Sequence, residues 1–197
     1  MNLRTVIFYG PSGSGKGTQA SLLKEYLEKN DPAHKVLYIE TGEQFRGFMA
    51  KDNFTARLVE KVVGEGGLLP EFLPIWVWAS FLVDHYTGAE HLILDGLARR
   101  RDEAPVLAHA LMFYERPRPD VVVLNVSRAW VLERLTARGR HDDTQQEVDR
   151  RLSWYEEHAR PAFEYLAGAG KFSVHEINGE QTVAEVHKDI VKALFGE

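Results

Sequence analysis

The sequence predicts an α/β fold in which a five-stranded parallel sheet is flanked by helices on both faces. Two observations lead to this prediction. Five short runs are rich in β-branched and aromatic residues, and amphipathic helical segments separate them. Strands that alternate with helices form parallel sheets, whose ligands bind at the carboxyl ends of the strands. The runs are TVIFY (5–9), KVLYI (35–39), HLILD (91–95), DVVVLNV (120–126) and KFSVHEI (171–177).

The segments between these runs carry apolar residues at helical spacing. We predict helices near 16–29, 43–51, 54–64, 71–86, 103–114, 128–137 and 182–195, and a longer one that begins near Thr144. The longer helix opens with TQQE (144–147), a capping-box pattern, and Pro161 should kink it. Its apolar stripe comprises Val148, Leu152, Tyr155, Ala159, Ala162, Phe163 and Leu166. The longest apolar run, at 72–83, is too short to span a bilayer and predicts a buried helix.

Composition excludes several classes of protein. A chain of 197 residues with 44% hydrophobic and 27% charged residues is typical of one globular domain. A net charge of -5 argues against nucleic-acid binding. Cysteine is absent, which excludes disulfides and cysteine-ligated zinc. Together with the lack of a secretory signal pattern, this leads us to expect a soluble, cytoplasmic protein with no membrane partner.

The strongest motif is a phosphate-binding loop between the first strand and the first helix. Residues Gly10 to Lys16 match G-x-x-x-x-G-K, so the amides around Gly13, Ser14 and Gly15 can cradle phosphates while Lys16 reaches the outer ones. Gly17 follows the lysine, where such loops usually carry a magnesium-binding hydroxyl, and the nearest hydroxyl is Thr18. Asp95 ends the third strand, where a carboxylate can orient the water shell of Mg²⁺.

Several motifs occur together in the order and spacing of one enzyme family. GPSGSGKGTQ, TGEQFR, GGLL, LDGLAR, RGRHDD and RRL span nearly the whole chain. In these motifs the chain resembles the adenylate kinase family of P-loop nucleoside monophosphate kinases. The resemblance implies a P-loop kinase fold, a monomer by family precedent, and reversible phosphoryl transfer from ATP·Mg to AMP. It also implies a core at 1–40, 88–134 and 144–197, an acceptor-nucleotide subdomain at about 41–87, and a short lid without zinc at about 135–143.

On the acceptor side, the resemblance assigns roles to residues that follow the second and third strands. Thr41 lies beside the base and Arg46 on the monophosphate, while the backbone of Gly67, Leu68 and Leu69 lines the base and ribose. Gly96 and Arg99 belong to the strand-end motif, with Arg99 on the acceptor phosphate. The family normally has proline at the position of Ala98, so we expect a looser turn there.

On the donor side and in the lid, the resemblance assigns mainly arginines. Arg134 packs against the donor adenine, Arg138 and Arg140 reach the transferring phosphoryl group, and Arg151 joins them. Arg140 and Arg151 also contribute to the acceptor site. Gly179 and Gln181 contact the donor adenine. Guanidinium groups around a transferring phosphoryl group suit its chemistry, because catalysis there is positioning and charge neutralisation.

One position leaves the acceptor base open. Eight residues after Asp95, where adenylate-specific members have glutamine, this chain has Glu103. An ionised carboxylate only accepts hydrogen bonds and suits guanine, whereas a protonated one could donate to adenine. The arginines at 99–101 disfavour protonation. In a register shifted by one residue, Glu103 would instead be a solvated helix residue. Thr41 matches the adenylate type, so AMP is the favoured acceptor.

The alternatives are the same chemistry on GMP, CMP or UMP, a nucleotide-binding module without catalysis, and a P-loop hydrolase. The arginines argue against a module that only binds. No polar residue is clearly positioned to orient an attacking water, which argues against a hydrolase. The histidines show no metal-ligand spacing, and the four tryptophans (Trp76, Trp78, Trp130 and Trp154) are expected only to pack helices.

Overall fold

The computed structural model describes residues 2–64, 69–138 and 144–196, and of residues 137, 138 and 147 only the backbone. It confirms the predicted fold class: the five strands form one parallel sheet in the order β2-β3-β1-β4-β5. The strands are β1 (Thr5–Tyr9), β2 (Val36–Glu40), β3 (His91–Asp95), β4 (Asp120–Asn125) and β5 (Ser173–Asn178). Each lies within two residues of the predicted run, because strands buried on both faces are almost continuously apolar.

Helices connect the strands as predicted. They are α1 (Lys16–Asn30), α2 (Thr41–Met49), α3 (Phe54–Gly64), α4 (Phe72–His85), α5 (Glu103–Phe113), α6 (Arg128–Arg138), α7 (Gln145–Trp154), α8 (Arg160–Gly168) and α9 (Val183–Phe195), with a π turn (Tyr155–Ala159) between α7 and α8. Helix α2 begins at Thr41, two residues before the predicted start, so Thr41 belongs to the helix directly after β2.

The sheet is buried between two hydrophobic layers. In β1, Ile7 and Tyr9 face the layer that contains α4, α5 and α8, while Val6 and Phe8 face the layer that contains α1 and α9. This alternation follows from the two-residue period of side chains along a strand. The central strand is therefore covered on both faces, and the loop after its carboxyl end is free to contact a ligand.

The segment between β2 and β3 has a small hydrophobic cluster of its own. Phe48, Ala56, Val59 and Leu73 from α2, α3 and α4 form it. Helix α4 also reaches the main core through Trp78 and Leu82. The prediction that the apolar run at 72–83 is buried holds for one face only, because Phe72 is 62% exposed and Val83 71% exposed.

The interruption predicted near Pro161 occurs one turn earlier, as the π turn. Proline has no N–H to donate, and its ring clashes with the carbonyl four residues back. The N–H of Arg160 bonds instead to the carbonyl of Tyr155, five residues back. The predicted stripe is confirmed: its members are buried, except that Phe163 is only partly so. The capping box at 144–147 involves the side chain of Glu147, which lies outside the described residues.

None of the helices in residues 2–64, 69–138 and 144–196 combines the length and the apolarity needed to cross a membrane.

Candidate active site

The candidate site lies at the carboxyl edge of the sheet, where three strand ends meet. Asp95 at the end of β3 is in register with Phe8 of β1 and with Glu40 of β2. The loop after β1, the start of α2 after β2, and the turn after β3 therefore emerge side by side. This register brings the phosphate-binding loop, Thr41 and Gly96 to one edge.

The phosphate-binding loop is fixed by close contacts that require glycine. A Cβ on Gly13 would lie 2.9 Å from Cγ of Leu135 in α6, and the Gly13 backbone has a φ of +84°. Only glycine meets both conditions without strain. Because Leu135 packs directly on the loop, helix α6 is held against the phosphate-binding loop at this point.

Lys16 lies at the first position of α1 with its amine over the loop. Its Nζ donates to the carbonyl oxygens of Gly10 at 2.7 Å and Pro11 at 2.9 Å. Burial lowers the pKa of Lys16 to about 8, although the carboxylate of Asp95 opposes this shift. The lysine therefore remains largely charged at neutral pH, beside amides that favour an anion. The hydroxyl of Ser14 is buried and has no partner among the described residues.

Asp95 borders the start of α1. A Cβ on Gly17 would lie 3.6 Å from Oδ2 of Asp95, and Thr18 follows as an exposed residue. Burial raises the pKa of Asp95, and the ammonium of Lys16 opposes the rise. The hydroxyl of Tyr38 lies 3.4 Å from Oδ2. Mg²⁺ prefers oxygen ligands such as carboxylates and hydroxyls. The carboxylate of Asp95 and the hydroxyl of Thr18 therefore fit a magnesium ion held through water.

On the acceptor side, Thr41 opens α2 and is 7% exposed, and its Oγ1 has no partner within the described part of the chain. Arg46 is exposed and pairs with Glu40 at 3.2 Å. Leu69 packs on the small cluster of α2, α3 and α4. Gly67 and Leu68 lie outside the described residues. Of the predicted acceptor residues, Thr41 and Gly96 are close: a Cβ on Gly96 would lie 4.0 Å from Cβ of Thr41.

Glu103 begins α5 and is 2% exposed, so the shifted register that would leave it in solvent is wrong. Its Oε2 accepts a hydrogen bond of 3.0 Å from the backbone N–H of Arg99. Burial raises the pKa of Glu103 to about 7, against the opposing effects of that hydrogen bond and of the guanidinium groups of Arg100 and Arg99. Desolvation thus outweighs the arginines, and both protonation states are populated near neutral pH.

We expected a loose turn before Arg99 because Ala98 stands where the family has proline, but the structure shows a turn held by contacts. Ala98 is 1% exposed and has a φ of 47°, which proline cannot adopt. Its carbonyl accepts a hydrogen bond of 2.8 Å from the hydroxyl of Tyr9. Contacts therefore hold this turn in the absence of a proline ring.

The predicted arginines of the lid are only partly described. Arg134 is exposed on α6, with its guanidinium carbon 5.1 Å from the ring centroid of Trp130. Arg138 ends α6 and only its backbone is described, while Arg140 lies outside the described residues. Arg151 lies on α7, near enough for its charge to disfavour the charged form of Arg99, whereas the carboxyl groups of Asp95 and Glu103 favour it. The side chain of Arg99 is exposed at this edge of the sheet.

Two of the tryptophans expected only to pack helices contact these arginines. Trp130 lies under Arg134, and Trp154 lies under Arg99 at 4.5 Å. Trp78 is buried in the main core, and Trp76 packs against Phe48. The helix-packing prediction therefore holds for two of the four.

The loop after β5 lies against the phosphate-binding loop. A Cβ on Gly179 would lie 2.6 Å from Cγ1 of Val126 and 3.7 Å from the carbonyl oxygen of Ser14. Glycine is therefore required for this approach. The side chain of Gln181 donates to the carbonyl of Asn178 and to Asp189, both at 2.9 Å, so it bonds within its own loop and helix.

A second polar cluster lies at the opposite edge of the sheet. Asp31, His34 and His91 place ligand-type atoms within 4.8 Å of one another, although the sequence shows no such spacing. Nδ1 of His91 accepts a hydrogen bond of 2.9 Å from the N–H of Arg4, so the ring proton is on Nε2, which donates to Asp31. A metal-bound histidine instead donates through its other nitrogen. The cluster is thus a hydrogen-bonded structural group.

Sequence reasoning missed Tyr38 and Trp154. Tyr38 lies on the strand next to Asp95, and the pairing that brings them together is not visible in the sequence. Trp154 follows Arg151 by three residues, which places both on one face of α7 and was the available signal.

Comparison with known proteins finds one matching family model and several similar relatives. The family model described as adenylate kinase matches residues 8–171. The chain is 31% identical over 191 residues to adenylate kinase 1 of Nostoc sp., covering 97% of this chain and 98% of that protein. It is 31% identical to the adenylate kinase of Nocardia farcinica and 30% to that of Corynebacterium glutamicum, covering 96% of this chain and 98% of each relative.

Proposed function

This chain belongs to the adenylate kinase family, and we propose that it transfers the γ-phosphoryl group of ATP reversibly to AMP, giving two ADP. One observation carries the proposal: the register of β1, β2 and β3 brings a phosphate-binding loop, Asp95 and the Arg99 turn to one edge of the sheet. A donor and an acceptor nucleotide can meet there end to end.

The donor phosphates bind in the loop after β1. The amides at the start of α1 and the ammonium of Lys16 offset the negative charge of the β- and γ-phosphates. The close packing of Gly13 on Leu135 and the approach of Gly179 to Ser14 support a donor site enclosed by α6 and the loop after β5. Arg134 lies on the exposed surface of α6, where it can cover the adenine.

Magnesium accompanies ATP in this family, and the residues present fit it. Asp95 and Thr18 would hold the ion through water, with Gly17 leaving space between α1 and the carboxylate. When bound, Mg²⁺ neutralises charge on the β- and γ-oxygens.

The acceptor phosphate binds to guanidinium groups. Arg99 lies in the turn after β3, Arg151 is near it on α7, and Arg46 lies on α2. Arg138 and Arg140 complete the set by family resemblance. Because the acceptor is already an anion, no general base is required, and the arginines act by positioning and charge neutralisation.

Glu103 makes GMP a second candidate acceptor when its carboxyl group is ionised. A neutral carboxyl group offers one donor and one acceptor and complements adenine, whereas the ionised form offers acceptors only and complements guanine. A pKa of about 7 makes both forms available, so GMP is the alternative acceptor.

The test is formation of nucleoside diphosphate from MgATP with AMP, GMP, CMP, UMP or dTMP. We expect AMP to give the highest kcat/KM below pH 7. If a pyrimidine nucleotide is the best acceptor at every pH, the proposed substrate is wrong. If ATP is consumed equally without any acceptor, the chain is a hydrolase. A monomeric state and a cytoplasmic location remain predictions from the sequence.

A further inference from the structure

The guanidinium group of Arg99 lies over the indole ring of Trp154. Its central carbon is 4.5 Å from the ring centroid, within the range of a cation–π interaction. Arg99 belongs to the turn after β3, and Trp154 is the last residue of α7 before the π turn. The contact thus joins the acceptor side of the site to the helix that carries Arg151.

The side chain of Arg99 has little else to hold it. Within the described residues, its guanidinium group makes no hydrogen bond and no ion pair, although its backbone N–H bonds to Glu103. The carboxyl groups of Asp95 and Glu103 attract it and the nearby guanidinium of Arg151 repels it, but none of these interactions is a directional contact. Because the side chain is exposed and has many rotamers, it needs such a contact to keep a defined position.

The type of partner matters for phosphate binding. Stacking on an aromatic ring uses the face of the guanidinium, whereas all five N–H donors point outward in its plane. A carboxylate at the position of Trp154 would occupy those donors and compete with phosphate. An indole fixes the plane of the guanidinium and leaves its donors available.

The indole is not held by its own polar group. Nε1 of Trp154 is buried and has no hydrogen-bond partner in the described part of the chain. A buried N–H without a partner is unfavourable. The Nε1–H group of Trp154 therefore cannot be what holds the ring in position. Among the described residues, the ring makes a cation–π contact with Arg99 and a ring–ring contact with the imidazole of His158, whose centroid is 5.3 Å away.

We propose that Trp154 is a positioning residue for the acceptor phosphate: its ring fixes the plane of Arg99 so that the guanidinium donors face the acceptor nucleotide. The inference rests on the proposed role of Arg99. It predicts that Trp154 affects the use of the acceptor and leaves the use of the donor unchanged.

The experiment measures steady-state kinetics of Trp154→Leu with AMP and MgATP varied separately. We expect KM for AMP to rise roughly fivefold, the upper end of the scale for an exposed cation–π contact, while KM for MgATP stays within a factor of two. Trp154→Phe, which keeps a weaker aromatic face, should restore much of the loss. If Trp154→Leu changes both KM values equally or neither, the inference is wrong.

Tyr165→Leu is the matched control. Arg101, two residues after Arg99, stacks on Tyr165 at 3.9 Å, so this variant removes a similar pair from the same turn. We expect an unchanged KM for AMP. An equal rise in this control would mean that any disturbance of the turn has the same effect, and would overturn the specific role of Trp154.

A double-mutant cycle separates this inference from the proposed function. If Arg99→Ala leaves KM for AMP unchanged, the proposed role of Arg99 fails. If Arg99→Ala impairs AMP use and Trp154→Phe or Trp154→Leu adds its full effect in that background, Trp154 does not act through Arg99. We expect the tryptophan substitutions to add little once Arg99 is absent. If Trp154→Leu does not fold, Trp154→Met, which also removes the aromatic face, decides the case.

Discussion

At the scale of single residues, we propose that Glu103 determines which base the acceptor site prefers. Its pKa of about 7 means that acid favours the donor-plus-acceptor form and base favours the carboxylate. We predict that the ratio of kcat/KM for AMP to that for GMP falls as pH rises from about 6 to about 8. The two nucleotides carry the same phosphate group, so its own ionisation cancels in the ratio.

Glu103→Gln provides the control for this prediction, because an amide donates and accepts at every pH. The AMP-to-GMP ratio of this variant should be high and independent of pH. A wild-type ratio that stays constant over the same range would show that Glu103 does not contact the base.

Lys16 is proposed to hold the phosphates of the donor nucleotide. We predict that Lys16→Ala lowers kcat by about a thousandfold or more, the scale of phosphate-clamping groups. Lys24→Ala is the matched control, since Lys24 lies on the same helix and pairs only with Glu28 on the surface at 3.4 Å. A loss below tenfold for Lys16→Ala would remove the residue from the mechanism.

At the scale of elements, α9 is fixed at its start by a capping box. Thr182 accepts a hydrogen bond from the N–H of Glu185, whose carboxylate accepts from the N–H of Thr182 at 3.0 Å. Helix α9 packs Val186, Ile190 and Leu194 under the sheet, so loss of the cap weakens a core element. We predict that Thr182→Ala lowers the free energy of unfolding by about 1 kcal/mol.

Urea unfolding at constant m-value measures this loss. Thr182→Ser keeps the hydroxyl and should remain within about 0.5 kcal/mol of the wild type, since serine caps as well as threonine. Equal losses in the two variants would show that the methyl group of Thr182, and not its hydroxyl, supports the helix.

Element types were predictable because their causes are local. The strands were found from continuous apolar runs, and T-x-x-E at 182–185 was a visible cap signal that we did not use. The sequence indicated an interruption near Pro161 but not that it would be a π turn. Pro161 indicates only that the helical hydrogen bonds are interrupted, and packing on both sides decides whether the chain kinks or inserts a wider turn.

At the scale of the whole molecule, the cluster of Asp31, His34 and His91 joins the end of α1 to the start of β3. Burial lowers the pKa of His91, and the hydrogen bond to Asp31 only partly opposes this. Asp31, His34 and Arg116 are the charged or titratable groups near the ring. Protonation of His91 would place a hydrogen on Nδ1, against the backbone N–H of Arg4. The folded state therefore keeps the His91 ring neutral.

The sign of the resulting pH dependence follows from this. The unfolded chain binds a proton at His91 near pH 6.5, whereas burial makes the folded chain resist protonation there. The free energy of unfolding therefore keeps its full value above that pH and falls on acidification. Glu103 acts oppositely: its raised folded pKa stabilises the protein at low pH, and this stabilisation is lost as pH rises from 4.5 to about 7.

We therefore predict the clearest result in a Glu103→Gln background, where His91 and His187, whose pKa values are both lowered by burial, contribute over this range. The free energy of unfolding should fall from pH 7.5 to pH 5.5, and adding His91→Gln should make the fall shallower. The measurement is urea unfolding at five or six pH values. An equally steep fall in the double variant would assign the acid sensitivity to other groups.

The distant contacts of the molecule were the part that sequence could not predict. Asp31 and His91 are 60 residues apart, and Arg99 and Trp154 are brought together by the packing of α7 near the β3 turn. Their meeting depends on sheet order, which residue patterns do not specify. The loops at strand ends were predictable because a parallel sheet aligns them.

The strand order also has a consequence for synthesis of the chain. Strand β1 is made first, yet Phe8 pairs with Asp95 and Val6 with Asp120. At translation rates of 5–20 residues per second, the apolar segment TVIFY waits on the order of ten seconds for its neighbours to leave the ribosome. During that interval its apolar side chains lack the two layers that bury them in the folded protein, so we expect this segment to be prone to aggregation until β3 and β4 have been made.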